Sequence, residues 1–187
     1  NLCEAARAGD LNALKRAIQA GADLNAGQLA NGSTGHAPLV LAAGQGHMEC
    51  VRALLEAGAA VDARGWHGET AAMMAAASEH RDCLSALIEA GADVNARSLD
   101  GKTPAMWLAK FSAIEDSPCL RLLIAAGADL HPTDHHGRTA ATHAKIGGKP
   151  WMCALIMRHI AALAESQKLS RALSKKGGRP ASQALRM

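Results

Sequence analysis

The chain has 187 residues, enough for one domain with a sizeable core or one domain plus an appendage. Aromatic residues make up 2% (Trp66, Trp107, Trp151, Phe111 and no Tyr), whereas 42 residues are alanine. Side chains this small bring backbones close and favour tightly stacked helices over a β-sandwich, whose strands enrich β-branched and aromatic residues. No apolar run reaches the roughly 18–20 residues needed to span a bilayer. A basic-then-apolar signal segment is absent, although a start at Asn1 is compatible with a cleaved leader or a trimmed chain. Charge divides sharply: residues 1–166 carry 14 Lys and Arg against 17 Asp and Glu, whereas residues 167–187 carry six bases and no acid. The basic balance therefore belongs to a tail on a mildly acidic body.

In chain order, the same short segments return. Ala20-Gly21-Ala22-Asp23-Leu24-Asn25-Ala26 is answered by Ala57-Gly58-Ala59-Ala60-Val61-Asp62-Ala63, Ala90-Gly91-Ala92-Asp93-Val94-Asn95-Ala96 and Ala126-Gly127-Ala128-Asp129-Leu130-His131. The glycines are 37, 33 and 36 residues apart. Each follows an apolar-periodic helix, where a left-handed residue ends the helix cheaply. A second signature follows at a fixed offset: His36-Ala37-Pro38-Leu39, Glu69-Thr70-Ala71-Ala72, Lys102-Thr103-Pro104-Ala105 and Arg138-Thr139-Ala140-Ala141. Here Thr70, Thr103 and Thr139 are placed to cap alanine-rich helices. Pro38 and Pro104 fall in the first helical turn, where a missing N–H costs nothing. Leu54-Leu55, Leu87-Ile88 and Leu123-Ile124 recur as the apolar face of each second helix. No unit buries that face alone, so neighbours must stack.

A period of about 33 residues carrying these signatures resembles the ankyrin repeat, a β-turn and two helices with a T-P-L-H-x-A motif. The resemblance covers roughly residues 2–165. It implies an all-α solenoid of stacked helix-turn-helix units with β-turn fingers, and five units: 2–24, 25–61, 62–94, 95–130 and 131–165. The first begins inside its first helix, with Leu2, Ala5, Ala6, Gly9 and Asp10 matching the family pattern. The last is interrupted by Ile146-Gly147-Gly148-Lys149-Pro150, and Leu155, Ile156, Ile160 and Leu163 should close the core as a cap. Two insertions depart from the period: Gly27 to Gly35 in the first turn, and Phe111 to Pro118 between the helices of the fourth unit. Loops longer than the minimum frequently carry function, and neutral insertions also accumulate there.

Cys50, Cys83 and Cys119 each lie eight residues before their unit's glycine, and Cys153 takes the matching place in the last helix. Stacked helices about 8–10 Å apart do not meet the roughly 7 Å limit for a disulfide, so this column is expected to be four buried thiols. An odd, unpaired count points to a reducing, cytoplasmic location. His47 with Cys50 and His80 with Cys83 have i, i+3 spacing, but no third orienting group or oxyanion-forming turn accompanies them. The resemblance gives those histidines a structural role joining neighbouring loops. His131-Pro132-Thr133-Asp134-His135-His136, with His143 nearby, is the one patch with metal-ligand residue types, without the spacing of a zinc site. No catalytic residue, cofactor or metal is expected.

The resemblance implies a protein-recognition surface made of turn tips, the residues beside them and the ends of the first helices. Trp66, His67, Leu99, Asp100, His135 and His136 are the tips. His36, Glu69, Lys102 and Arg138 lie beside them, and Gln45, Ser78, Lys110 and Phe111 are the helix ends. Trp66 stands where the scaffold needs no apolar residue, the mark of a partner contact, since Trp is enriched at interface hot spots. The other reading has it folded against a neighbouring turn. Trp107 is expected in the core. The tail, residues 166–187, extends the last helix through Leu169 and Leu173 before fraying. Its Gly178-Arg179-Pro180 faintly resembles the AT-hook core, which would enter the minor groove of DNA.

The expected function is a non-catalytic, monomeric adaptor, scaffold or effector that binds another protein. A dedicated inhibitor or immunity-type protein occluding an enzyme is the closest alternative. A metal-dependent enzyme at the histidine-rich turn, and nucleic-acid or anionic-membrane binding through the basic tail, rank below it.

Overall fold

The computed structural model describes residues 1–25 and 35–176. The insertion between Gly27 and Gly35 and the Gly178-Arg179-Pro180 segment therefore lie outside the described residues, apart from Gly35 itself. Among the described residues the chain forms ten α-helices: α1 (Leu2–Ala8), α2 (Leu11–Gln19), α3 (Pro38–Gln45), α4 (Met48–Glu56), α5 (Ala71–Ala77), α6 (Arg81–Glu89), α7 (Pro104–Phe111), α8 (Pro118–Ala125), α9 (Ala140–Ile146) and α10 (Pro150–Lys176). They lie in two layers. In the inner layer α1, α3, α5, α7 and α9 each pack on the next, and in the outer layer α2, α4, α6 and α8 do the same.

Local chemistry explains the element ends. The Oγ1 atoms of Thr70, Thr103 and Thr139 accept hydrogen bonds from Met73, Met106 and Thr142 N–H, so each threonine caps its inner helix. Ala37 holds the same place before Pro38 and has no side-chain cap. At the far ends of α2, α4, α6 and α8, Gly21, Gly58, Gly91 and Gly127 all adopt left-handed φ of 76–90°. The alanine N–H after each then returns to a carbonyl of the last turn.

The core follows from the repeat. Leu14, Leu54, Leu87 and Leu123, one from each outer helix, are fully buried, and Ala42, Ala75 and Ala109 line the seams between inner helices. Truncating one such leucine typically costs about 2–5 kcal/mol, so the stack is held by the faces that successive units dry for each other. In α10, Met152, Leu155 and Ile156 are buried and Ile160 packs against the core, but Leu163 is 43% exposed. The expected capping face therefore stops at Ile160. Beyond it residues 161–168 of α10 are exposed, with Leu163, Ala164 and Gln167 edging an open pocket against Ala128–His131. The cysteine column needs a similar correction: Cys50, Cys83 and Cys119 are buried, while Cys153, in the last unit, is only half-buried.

Among the described residues, three turn fingers of one design run between the units. Gly65 N–H donates to Glu69 O, Ser98 N–H to Lys102 O and Asp134 N–H to Arg138 O. The fingers are also laced to one another. Leu99 N–H donates to His67 O at 2.8 Å, and His135 N–H donates to Asp100 O at 3.0 Å. Arg64 donates to Arg97 O at 2.7 Å, and Arg97 in turn donates to Thr133 O. At the finger bases Asn25, Asp62 and Asn95 accept from the backbone N–H of Ala60, Asp93 and Asp129, one unit on. Backbone groups that a lone turn would leave to water are thus satisfied by the neighbouring turn.

Candidate partner-binding surface

The inner helices and fingers present one surface, and most of the predicted residues stand on it. Trp66 is 51% exposed, Leu99 67% and Phe111 50%. His67, Asp100, His135, His136, Gln45, Ser78 and Lys110 are exposed, and His36 and Arg138 half-buried. Half of the Trp66 surface faces solvent, while its ring stacks on His36 of the preceding finger, with centroids 6.5 Å apart.

Two predicted contact residues take other roles. Glu69 is buried, so it supports the surface without forming part of it. Its Oε2 accepts from His67 N–H at 2.7 Å, and its Oε1 lies 2.7 Å from His36 Nδ1 as a close polar contact. Glycine is required at residue 65, because a Cβ there would fall within 2.6 Å of both the Glu69 carboxylate and His36 Nδ1. Glu69 and His36 thus form the base on which Trp66 rests. Lys102, too, is mostly covered: its Nζ donates to Asp100 Oδ2 at 2.6 Å and sits 6.0 Å from the Trp107 ring centroid.

Trp107 also differs from expectation. It is half-buried and stacks on Phe111, centroids 5.4 Å apart, with Lys110 Nζ 4.8 Å from the Phe111 centroid. Its Nε1 is buried without an acceptor. The cause lies in the register of the inner helices. Leu41, Met74, Trp107 and His143 occupy equivalent places on α3, α5, α7 and α9, and that row borders the groove. At the other end of the groove, Val40, Leu41, Gly44 and Met74 floor a pocket of about 270 Å³ rimmed by Arg7, His36 and Gln45.

The histidine-rich turn is built around a buried pair. His143 Nε2 lies 2.9 Å from Asp134 Oδ2, and Asp134 Oδ1 accepts from His136 N–H and Arg138 N–H. Burial opposes ionisation of Asp134, but these hydrogen bonds outweigh it and hold the carboxyl down at about 2. Burial lowers the His143 pKa despite the opposite pull of Asp134. The pair orders the third finger, and His135 and His136 project from it into solvent. Among the described residues no three His, Cys, Asp or Glu side chains converge as metal ligands. The thiols are passivated: burial raises Cys50, pushes Cys83 up to about 11, and raises Cys119 further with help from Glu79.

Two features escaped the sequence reading. Gly46 (φ 78°) lies under the His80 ring of the next unit, and a Cβ there would fall 2.6 Å from Nδ1. Gly9 lies under His47 in the same way. The corresponding residue of the next unit is Glu79, left-handed at φ 58° without being glycine. The longer link after α7 brings no imidazole over it, so a side chain fits, and Ser112 Oγ donates to Glu79 Oε1 at 2.5 Å. One unit later Lys149 stands where His47 and His80 stand. It spans the longer gap to donate to Lys110 O and Ala109 O at 2.7 and 3.3 Å. Ile114, 45% exposed in that link, and Ile146, 64% exposed, were also missed. Each is a single apolar residue with no periodic pattern to mark it.

Helix pairs stacked in two layers and joined by laced β-turn fingers define a helical-repeat solenoid. A family model for ankyrin repeats matches residues 2–98 in three copies, and the chain belongs to the ankyrin repeat family. Ankyrin repeats are generally protein–protein interaction modules and typically non-catalytic. No curated protein matches the chain. No helix among the described residues is long and apolar enough to cross a membrane.

Proposed function

We propose that residues 1–165 form one recognition domain of five units, divided at 2–24, 25–61, 62–94, 95–130 and 131–165. It is a non-catalytic adaptor, scaffold or effector that grips a partner protein in the cytoplasm. The observation that carries this reading is the set of large apolar side chains, Trp66, Leu99 and Phe111, held half or more in solvent on the finger and inner-helix face. Clusters of exposed apolar residues rimmed by polar ones mark interaction sites. The lacing of the fingers and the stacking of inner helices preorganise that face, so binding orders little of this chain. The contact set is Trp66, His67, Leu99, Asp100, His135 and His136 at the tips, with His36, Gln45, Ser78, Lys110, Phe111 and Arg138 along the groove. Residues 166–187 are a basic tail.

The test is a pull-down from native lysate with wild type and Trp66→Ala side by side. Recovery of a protein band with wild type and its loss with the variant, at unchanged melting temperature, supports the reading. Equal recovery by both removes Trp66 from the contact set. Hydrolytic activity that requires His135 or His136 and added metal would replace recognition with catalysis.

A further inference from the structure

From α3 onward the charge on the inner helices is one-sided, whereas α1 carries the exposed acid Glu4. Helices α3, α5, α7 and α9 contain no Asp or Glu. The carboxylates of the finger tips are already engaged: Glu69 and Asp134 are buried against His36 and His143, and Asp100 is held by Lys102. The cations are not matched in this way. Lys110 lies over the Phe111 ring, and Arg138 forms no ion pair among the described residues. Lys149 spends its donors on the Ala109 and Lys110 backbone carbonyls, and burial lowers its pKa. Lys102 and Arg138 are both near enough to His143 to disfavour its protonation. Exposed carboxylates lie on the outer layer, as Glu49, Glu56, Asp82 and Glu89 on α4 and α6, and in the link after α7, where Asp116 is paired with Arg121 and Glu115 shares a pocket with Arg158.

Under these cations the floor is apolar. Trp107 and Phe111 form a stacked pair on α7, and Ile146 on α9 occupies the place equivalent to Lys110. A cation resting on an exposed aromatic face is held weakly. A carboxylate brought to it by a partner, while an apolar side chain covers the ring and excludes water, is held more firmly because the local dielectric falls.

We propose that the Trp107–Phe111 stack, with Lys102 and Lys110 against its rings and with Arg138 and Ile146 at the equivalent positions one unit on, is the docking site for an acidic peptide segment of the partner. The segment lays an aromatic or aliphatic side chain on Phe111 and Ile146 and sets carboxylates against Lys110 and Arg138. The inference rests on the recognition reading above and specifies the chemistry of the partner. A phosphate backbone fits less well, because its affinity rises with the number of cations it neutralises, and of the three cations Lys102 is already paired with Asp100.

The experiment is selection from a phage-displayed random-peptide library on the immobilised full chain, followed by fluorescence anisotropy of selected peptides. Selected sequences should pair Asp or Glu with Phe, Trp, Leu or Ile. Their affinity should fall about tenfold or more for Lys110→Glu and for Phe111→Ala, tenfold being the loss of one good contact. The same reversal on the outer layer, Lys15→Glu, should leave affinity unchanged, and replacing the peptide's acids by amides should reproduce the Lys110→Glu loss. Lys110 and Phe111 are exposed, so both variants should melt with wild type, and either one alone suffices to decide.

Neutral or basic consensus peptides, a loss as large for Lys15→Glu, or no enrichment at all would overturn the proposal. So would a single-stranded oligonucleotide that binds more tightly than every selected peptide and is lost with Lys110→Glu. Peptides that depend on Trp66 but ignore Lys110 and Phe111 overturn it while leaving the broader recognition reading intact.

Discussion

The Asp134–His143 pair permits a quantitative test of how the third finger is held. Asp134 has its carboxyl lowered from the usual 3.8 to about 2 by hydrogen bonds from Arg138 N–H, His136 N–H and His143. At about 1.4 kcal/mol per pH unit, this corresponds to about 2 kcal/mol of folding stability. Because the folded-state value is depressed, that stability is fully present above the unfolded value of 3.8 and is lost as pH falls through about 2. His143 acts in the same direction at higher pH. Its folded-state value lies below 6.5, so the unfolded chain takes up that proton first and stability falls as pH drops below 6.5. Urea unfolding followed by far-ultraviolet circular dichroism, on wild type and Asp134→Asn across this range, measures both steps. The variant should be less stable by about 2 kcal/mol at neutral pH, and the difference should close as the acid limit near 2 is approached. Equal stability at neutral pH, or a difference that persists undiminished in acid, refutes the assignment of that energy to the carboxylate.

Three further outcomes follow from the packing. Leu87→Ala, which empties a fully buried site in α6, should cost about 2–5 kcal/mol by chemical denaturation. Gly46→Ala forces a Cβ against His80 from a left-handed backbone; a loss of about 1–3 kcal/mol is expected, whereas Glu79→Gly, which trades a hydrogen bond for a relaxed backbone, should change stability by less than about 1 kcal/mol. Trp66→Ala should leave the melting temperature nearly unchanged in a thermal scan, because the side chain is half in solvent and its removal opens no core cavity; a melt lowered as far as that of Leu87→Ala would place Trp66 in the core.

Much of this was legible before any coordinates. The helix ends were readable because capping is local: Thr103 and Pro104 start α7, and Gly91 ends α6, through atoms within a few residues. The stacking axis was readable because one apolar face, Leu54, Leu87 and Leu123, returns at each unit with nowhere else to be buried. The buried thiols of Cys50, Cys83 and Cys119 were readable from register, whereas the half-burial of Cys153 in the last unit was not. The exposed face was legible in outline. Tips and helix ends fall at fixed offsets, so Trp66, Leu99 and Phe111 were placed correctly in solvent.

What each side chain does there was decided between units. Glu69 looks like a surface acid until His36, 33 residues earlier, and Gly65 close over it. Trp107 looks like core until the row it shares with Leu41, Met74 and His143 is seen to border the groove. Glu79 takes a glycine's conformation, and Lys149 a histidine's place, because the link after α7 alters what stands across the gap. The amino-acid order by itself determined the repeat, its caps and the direction of stacking, since those energies act within a turn of helix or recur identically. Only the assembled stack decided which polar groups are spent internally and which are left for a partner, since that depends on the residue facing each one from a neighbouring unit.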